Sequence, residues 1–334
     1  MTMVVPAAVA LAASLAVAPL VLAVLRRAQV LDHPSDRSSH TKPVPRGGGV
    51  APALGALLAL AVTPSLPASH RAAFALAVAA FGLVGLFEDV VGIRALHRLA
   101  IQFVAASVVA RFLLDGLSGP LLWQSVFAVG AVLWLVAFVN AYNFMDGVDG
   151  ISVAQAVGAG VTWFLVGTVT DSPALAAGGA IVAAAALGFA PYNLPHARMF
   201  LGDVGSYFIG AWLGAVAILG LRAGVAPEAV LAPLVVYLAD TGTTLAGRVA
   251  RGEPWYLPHR DHAYQRLADN GWSHPRISGF VAACIGLCGA LGLVSLGGST
   301  PARVAADVAM VTVVAVYLLV PRRVRHSEAT MRTG

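Results

Sequence analysis

Charge is scarce in this chain. Only 11% of its 334 residues are Asp, Glu, Lys or Arg, while 58% are hydrophobic and the mean hydropathy is +0.80. That balance excludes a soluble globular domain and implies a polytopic membrane protein. Cysteine is scarcer still. Cys284 and Cys288 stand four apart, on one face of a single apolar stretch. This excludes a disulfide framework or a cysteine zinc site and leaves packing as their role. Low-complexity tracts, linkers and clear internal repeats are also missing, so one integral domain over 1–334 is expected.

Apolar runs dominate what is there. Eleven stretches approach the length needed to cross a hydrocarbon core of about 30 Å. They are residues 4–25, 48–64, 72–87, 99–115, 120–140, 151–170, 173–190, 204–221, 228–247, 277–296 and 303–320. Several are short and rich in Ala and Gly, which suits close helix packing. The expected fold is an all-α bundle of about eleven transmembrane helices. Seventeen Lys and Arg residues fall in the loops after odd-numbered spans or in the tail, against four (Arg71, Arg111, Arg222, Arg303) on the other side. The basic side is expected to be cytoplasmic, with the N-terminus outside and the C-terminus inside. The first run carries its charges after the apolar segment, so it reads as a retained span, not a cleaved leader. The net charge of +5 follows the same asymmetry, so anionic lipid headgroups explain it and nucleic acid is not needed.

The scarce polar residues are not scattered. Twelve of the sixteen carboxylates and eight of the nine histidines lie on the basic side, which points to chemistry at that face. They form five patches. The first holds Arg37, His40, Lys42 and Arg46 before three glycines, and reads either as a phosphate-binding loop or as a basic loop on lipid headgroups. The second is Glu88-Asp89, either an interfacial anchor or a base or metal-side carboxylate. The third, N-x-x-D-G-x-D-G, sets Asn143, Asp146 and Asp149 in one small volume, more polarity than a turn requires. The fourth is L-G-D-x-G-S at 201–206, with Asn193, His196 and Arg198 upstream; Asp203 can cap a helix, bind a cation, or both. The fifth runs from Asp240 and Arg248 through Glu253 and Trp255 to His259-Arg260-Asp261-His262. His259 and His262 share a face if that segment is helical. Their spacing lacks a zinc pattern and suits phosphate or sugar better.

Gathered at one face, Glu88, Asp89, Asp146, Asp149, Asp203 and Asp240 would repel. A like-charge pair about 4 Å apart costs about 4 kcal/mol at an effective dielectric of ~20. Either the acids are dispersed or a cation neutralises them, and all-oxygen ligands suit Mg²⁺ or Mn²⁺.

The ordered set R-x-x-H-x-x-P-x-P-R-G-G (37–48), E-D (88–89), N-x-x-D-G-x-D-G (143–150), L-G-D-x-G-S (201–206) and H-R-D-H-A-Y-Q-R-L (259–267) resembles the polyprenyl-phosphate N-acetylhexosamine-1-phosphate transferases. The resemblance covers about residues 30–270. It implies a multi-pass enzyme of the bacterial inner membrane, Mg²⁺- or Mn²⁺-dependent, that moves a sugar-1-phosphate from a UDP-N-acetylhexosamine to undecaprenyl phosphate and releases UMP. It further implies Asp203 as main metal ligand with Asn143 beside it. Asp146 and Asp149 would touch the uridine diphosphate or the metal, and Asp89 would deprotonate or steer the lipid phosphate. Arg37, Lys42 and Arg46 would meet phosphate or nucleotide. Asn193, His259, Arg260, Asp261 and His262 would complete recognition of the sugar and diphosphate, His262 with a catalytic part. A homodimer is compatible with this reading.

Two departures qualify the resemblance. The usual acidic pair is Asp-Asp, whereas Glu88 stands first here. Ala263-Tyr264 replaces the histidines of the commoner last-loop motif, which resembles the branch that initiates O-antigen or related surface polysaccharides and admits a 6-deoxy sugar. The alternatives are a phospho-N-acetylmuramoyl-pentapeptide transferase-like step and, from another class, a membrane transporter. A water path to Asp240 from both faces would favour transport.

Overall fold

A computed structural model describes residues 3–34, 42–254 and 259–332, with side chains described as far as residue 321. Arg37 and Trp255 lie outside the described residues. Among the described residues the chain is helical almost throughout. The helices are α1 Val4–Arg27, α2 Val50–Ala61, α3 Ala68–Val90, α4 Ala95–Leu113, α5 Leu121–Phe144, α6 Ile151–Val169, α7 Pro173–Asn193, α8 Gly202–Arg222, α9 Pro227–Ala250, α10 Ala263–Asp269, α11 His274–Gly297 and α12 Thr300–Arg332. Backbone polar groups in lipid must be satisfied within their own segment, which is why these apolar runs become helices. The described sheet is one short antiparallel pair, β1 Leu31–Asp32 with β2 Val44–Pro45.

Ten of the helices are long and apolar enough to cross a membrane. They account for ten of the eleven expected spans. The exception is the stretch at 48–64, which forms only the 12-residue α2. The segment still returns the chain along the bundle, because Arg46 before it meets Asp89 at the far end of α3, yet at 1.5 Å per residue it is about 18 Å, shorter than a full hydrocarbon core. The reason is local: Gly47 takes φ +109°, and residues 47–49 serve a turn against α8, not the helix.

Helix α8 is the hub. Every residue from Gly202 to Gly220 is buried, with α3, α5 and α7 packed around it. Small residues permit this closeness. A Cβ on Gly49 would collide with the Gly205 backbone, so α2 and α8 meet backbone to backbone at their first turns. Gly160 of α6 and Gly179 of α7 face each other's carbonyls in the same way. The buried hub carries Asp203 in its first turn, and the loops bearing the other acidic and basic patches converge on that end.

Candidate active site

The site is assembled on the N-terminus of α8. β2 runs on into a bridge between Arg46 and Phe200, and the Gly48 and Gly49 N–H groups donate to Phe200 and Leu201 carbonyls, both at 2.8 Å. This stitches the first patch to the fourth. Gly202 then turns with φ +74°, a left-handed conformation that glycine adopts without strain. A Cβ there would lie 2.6 Å from an Asp89 carboxylate oxygen. The glycine thus allows Asp89, at the end of α3, to reach the helix start.

Asp89 caps α8 from outside the helix. Its Oδ1 accepts from the Asp203 N–H at 2.9 Å and its Oδ2 from the Val204 N–H at 3.0 Å. These are two of the donors every helix start leaves unpaired, and the side chain is fully buried. Arg46 closes the group: its Nε lies 2.7 Å from Asp89 and its Nη2 donates to Asp203 at 2.7 Å. Burial works against the guanidinium charge, but Asp203 and Asp89 outweigh it and hold Arg46 firmly protonated. From α5, Asn143 donates through Nδ2 to Asp203 Oδ1 at 2.7 Å and to Ser206 at 2.9 Å.

Asp146 lies just beyond Asn143. Burial pushes its carboxyl up to about 6, with the Asp203 charge adding to the effect. Asp89 and Asp203 thus share one guanidinium, and Asp146 lies within electrostatic reach of Asp203 and Arg46. Hard oxygens from Asp203, Asp146 and the Asn143 amide match Mg²⁺ chemistry. Among the described residues no three His, Cys, Asp or Glu side chains gather closely enough to cage a metal alone.

The other acids are dispersed to partners of their own. Glu88 turns away from Asp89, accepting from Arg98 at 3.1 Å and from the Ile93 N–H at 2.7 Å. Asp149 accepts from the Ala197 N–H at 3.1 Å and sits 3.2 Å from His274 at the start of α11. Asp240 is fully buried in α9, where His262, the Ala263 N–H, Thr244 and Tyr317 surround its carboxylate. The repulsion that would arise if all six acids met is thereby reduced to the Asp89 and Asp203 pair, with Asp146 within electrostatic reach of Asp203.

The remaining sequence-derived candidates lie in the first, fourth and fifth patches. Lys42 is exposed in the first loop. Asn193 is buried with both ends of its amide engaged: Oδ1 accepts from the Gly150 N–H and Nδ2 donates to the Met199 carbonyl. It frames the third and fourth patches and does not project into open space. Asp261 pairs with Arg248 at 2.6 Å, which holds its carboxyl below the usual range against the opposing effect of burial. Arg260 pairs with Asp269 at 2.8 Å. His259 and His262 do not lie on one helical face. Helix α10 begins only after His262, which caps it in a box with Gln265. The two rings still approach to 5.1 Å, and burial, then His262 and Arg248, lower the His259 pKa. The last loop meets the third patch directly: Tyr264 donates to the Phe144 carbonyl at 2.9 Å and covers Gly147.

Three contributors escaped the sequence reading. Ser206 stood inside a quoted motif, one turn after Asp203, where helical spacing would have put both on one face. His274 and Tyr317 lie outside the motif region and carry no spacing signal.

The chain is similar in sequence to known proteins. Residues 72–221 match the model of glycosyl transferase family 4. A probable undecaprenyl-phosphate N-acetylglucosaminyl 1-phosphate transferase of Bacillus subtilis is 28% identical over 304 residues, covering 87% of this chain and 84% of the relative. A decaprenyl-phosphate N-acetylglucosaminephosphotransferase of Mycolicibacterium smegmatis is 29% identical, covering 86% and 81%. A phospho-N-acetylmuramoyl-pentapeptide-transferase of Gluconobacter oxydans is 30% identical, covering 64% and 69%.

Proposed function

The chain belongs to the polyprenyl-phosphate N-acetylhexosamine-1-phosphate transferase superfamily, and from that premise we propose that it moves an N-acetylhexosamine-1-phosphate from a UDP-sugar to undecaprenyl phosphate, releasing UMP. It is a multi-pass phosphosugar transferase of the bacterial cytoplasmic membrane. The observation that carries the finer reading is the Asp203 group, where two carboxylates, an amide and one arginine meet at the end of the most buried helix.

In the proposed reaction an oxygen of the lipid phosphate attacks the β-phosphorus of the UDP-sugar. The bond from that phosphorus to the bridging oxygen breaks, and UMP leaves with the electron pair. Two anions must approach, so neutralisation and in-line positioning supply most of the catalysis. Asp203, Asn143 and Asp146 would hold Mg²⁺ or Mn²⁺, which supplies neutralisation of the diphosphate oxygens. Arg46 and Lys42 face the same anions. Asp89 acts as a positioning group: its oxygens are committed to the α8 N–H groups and Arg46. A strong base is superfluous, because a phosphate monoester has a second pKa of about 6 and is largely dianionic near neutrality.

Lys and Arg asymmetry argues for placing the site on the cytoplasmic side, where nucleotide sugars are available. N-acetylglucosamine is the first sugar to test, since relatives named for it align over most of their length. The departure at Ala263-Tyr264 keeps 6-deoxy sugars and a surface-polysaccharide product in the test. Both residues are buried in the first turn of α10, so they shape the Asn143 segment through Tyr264 and do not touch sugar themselves. Transport is disfavoured by Asp240, which is enclosed by its own partners.

The test is nucleotide release. Purified protein, undecaprenyl phosphate and Mg²⁺ are mixed with a panel of UDP-N-acetylhexosamines. Lipid-dependent UMP, abolished in Asp203→Asn, supports the proposal and names the sugar. UDP in place of UMP would assign a transferase of the sugar alone.

A further inference from the structure

The Arg46 guanidinium spans two carboxylates on different helices through two different nitrogens, Nε to Asp89 on α3 and Nη2 to Asp203 on α8. The two contacts are not equivalent. The Asp89 side chain has 0% exposure and is also fixed by two helix N–H groups, so it cannot move away. The Asp203 side chain is 10% exposed, with Oδ1 taken by Asn143 and Oδ2 by Arg46. A cation approaching Asp203 therefore meets Arg46 first. The Arg46 side chain is 35% exposed and has room to swing. Its backbone does not, being bridged to Phe200 beside the Gly48 and Gly49 hydrogen bonds.

We propose that Arg46 is the resident counter-cation of the Asp89 and Asp203 pair, and that a divalent cation displaces it from Asp203 and frees the guanidinium for a substrate phosphate oxygen. The inference rests on the cation reading of Asp203 given above. An arginine cannot lose its charge to make way. Once displaced from Asp203 it stays tethered near Asp89 and presents free donors to whichever anion enters. Cation and phosphate then bind cooperatively, because each relieves a cost the other would meet alone. The arrangement also offsets one of the pair's two negative charges between turnovers, which helps α8 and α3 stay docked when no cation is present.

The test is Mn²⁺ binding to the full chain in detergent, read by electron paramagnetic resonance of free Mn²⁺, with melting temperature measured in parallel. Arg46→Gln should bind Mn²⁺ about 10-fold more tightly than wild type, because a charged competitor is gone. Its metal-free form should melt lower, and saturating Mn²⁺ should restore it. Should Arg46→Gln fail to fold, Arg46→Lys decides the matter: one ammonium cannot bridge both carboxylates, so tighter Mn²⁺ binding than wild type is again expected. Unchanged or weaker affinity in a folded Arg46 variant would overturn the counter-cation role while leaving the cation reading intact. A wild type whose Mn²⁺ binding is absent, or the same in Asp203→Asn, would overturn the cation reading and this inference with it.

Discussion

Asp203 accepts from an arginine and an asparagine at once and lies at the positive end of a buried helix. Removing its charge leaves the neighbours in place, so Asp203→Asn should insert and fold as wild type does while losing activity by at least about 10²-fold, the scale of one electrostatic contact at a transition state. Activity per folded molecule, with size-exclusion behaviour as the folding check, measures this. Asp146 makes the opposite trade. Its carboxyl is raised from 3.8 to about 6, so in metal-free protein it contributes stability that is fully present below about pH 4 and lost as pH rises through about 6. Metal-free wild type should lose melting temperature across that window. Asp146→Asn should flatten the loss and be more stable at pH 7.5, by about 1–3 kcal/mol after allowance for partial exposure. A melting profile for Asp146→Asn with the wild-type slope would refute the assignment. The residue types needed here were legible in the chain, because carboxylates and amides are conspicuous in an apolar sequence. Their division of labour was not, since no spacing says that Glu88 turns to Arg98 while Asp89 turns to Arg46 and the start of α8.

Helices and their joints are the next scale. Hydropathy located ten long helices because lipid leaves an apolar chain no other regular structure. It overran at 48–64, where residues 47–49 are apolar in composition but conformationally a turn. That turn sets a close approach: a Cβ on Gly49 would fall on the Gly205 backbone. Gly49→Ala should therefore push α2 from α8 and destabilise by about 1–3 kcal/mol, the usual cost of overpacking, seen as a lower melting temperature. At the other joint, α10 is tied to α12 at both ends, by Tyr317 through Asp240 and by Asn270 through the Pro321 carbonyl. Tyr317→Phe removes one hydroxyl and leaves the ring. It should lower kcat several-fold with little change in Mn²⁺ affinity, because it loosens the His262 loop and not the Asp203 cluster. Equal loss in both quantities would mean that the whole bundle had loosened. This clamp joins positions 77 residues apart, beyond the reach of any local pattern.

Across the whole molecule, polar chemistry is concentrated at one end of the bundle, and the opposite end carries isolated pairs such as Glu228 with Arg303. Asp171 belongs to that second end, in a tight turn with φ +50°. Asparagine tolerates that conformation, so Asp171→Asn should keep activity within about two-fold; a total loss would place catalytic groups where the topology forbids them. Membrane sidedness follows the same logic, and cysteines placed singly at Ala197 and Asp171 should label from opposite faces of sealed vesicles.

The central claim is that phosphorus travels with the sugar. It is tested most directly with a UDP-N-acetylhexosamine labelled both in the sugar and at the β-phosphorus, incubated with undecaprenyl phosphate and enzyme. The account predicts both labels in the lipid product at the ratio of the donor, with neither in the Asp203→Asn control. Sugar label without phosphorus label would contradict it.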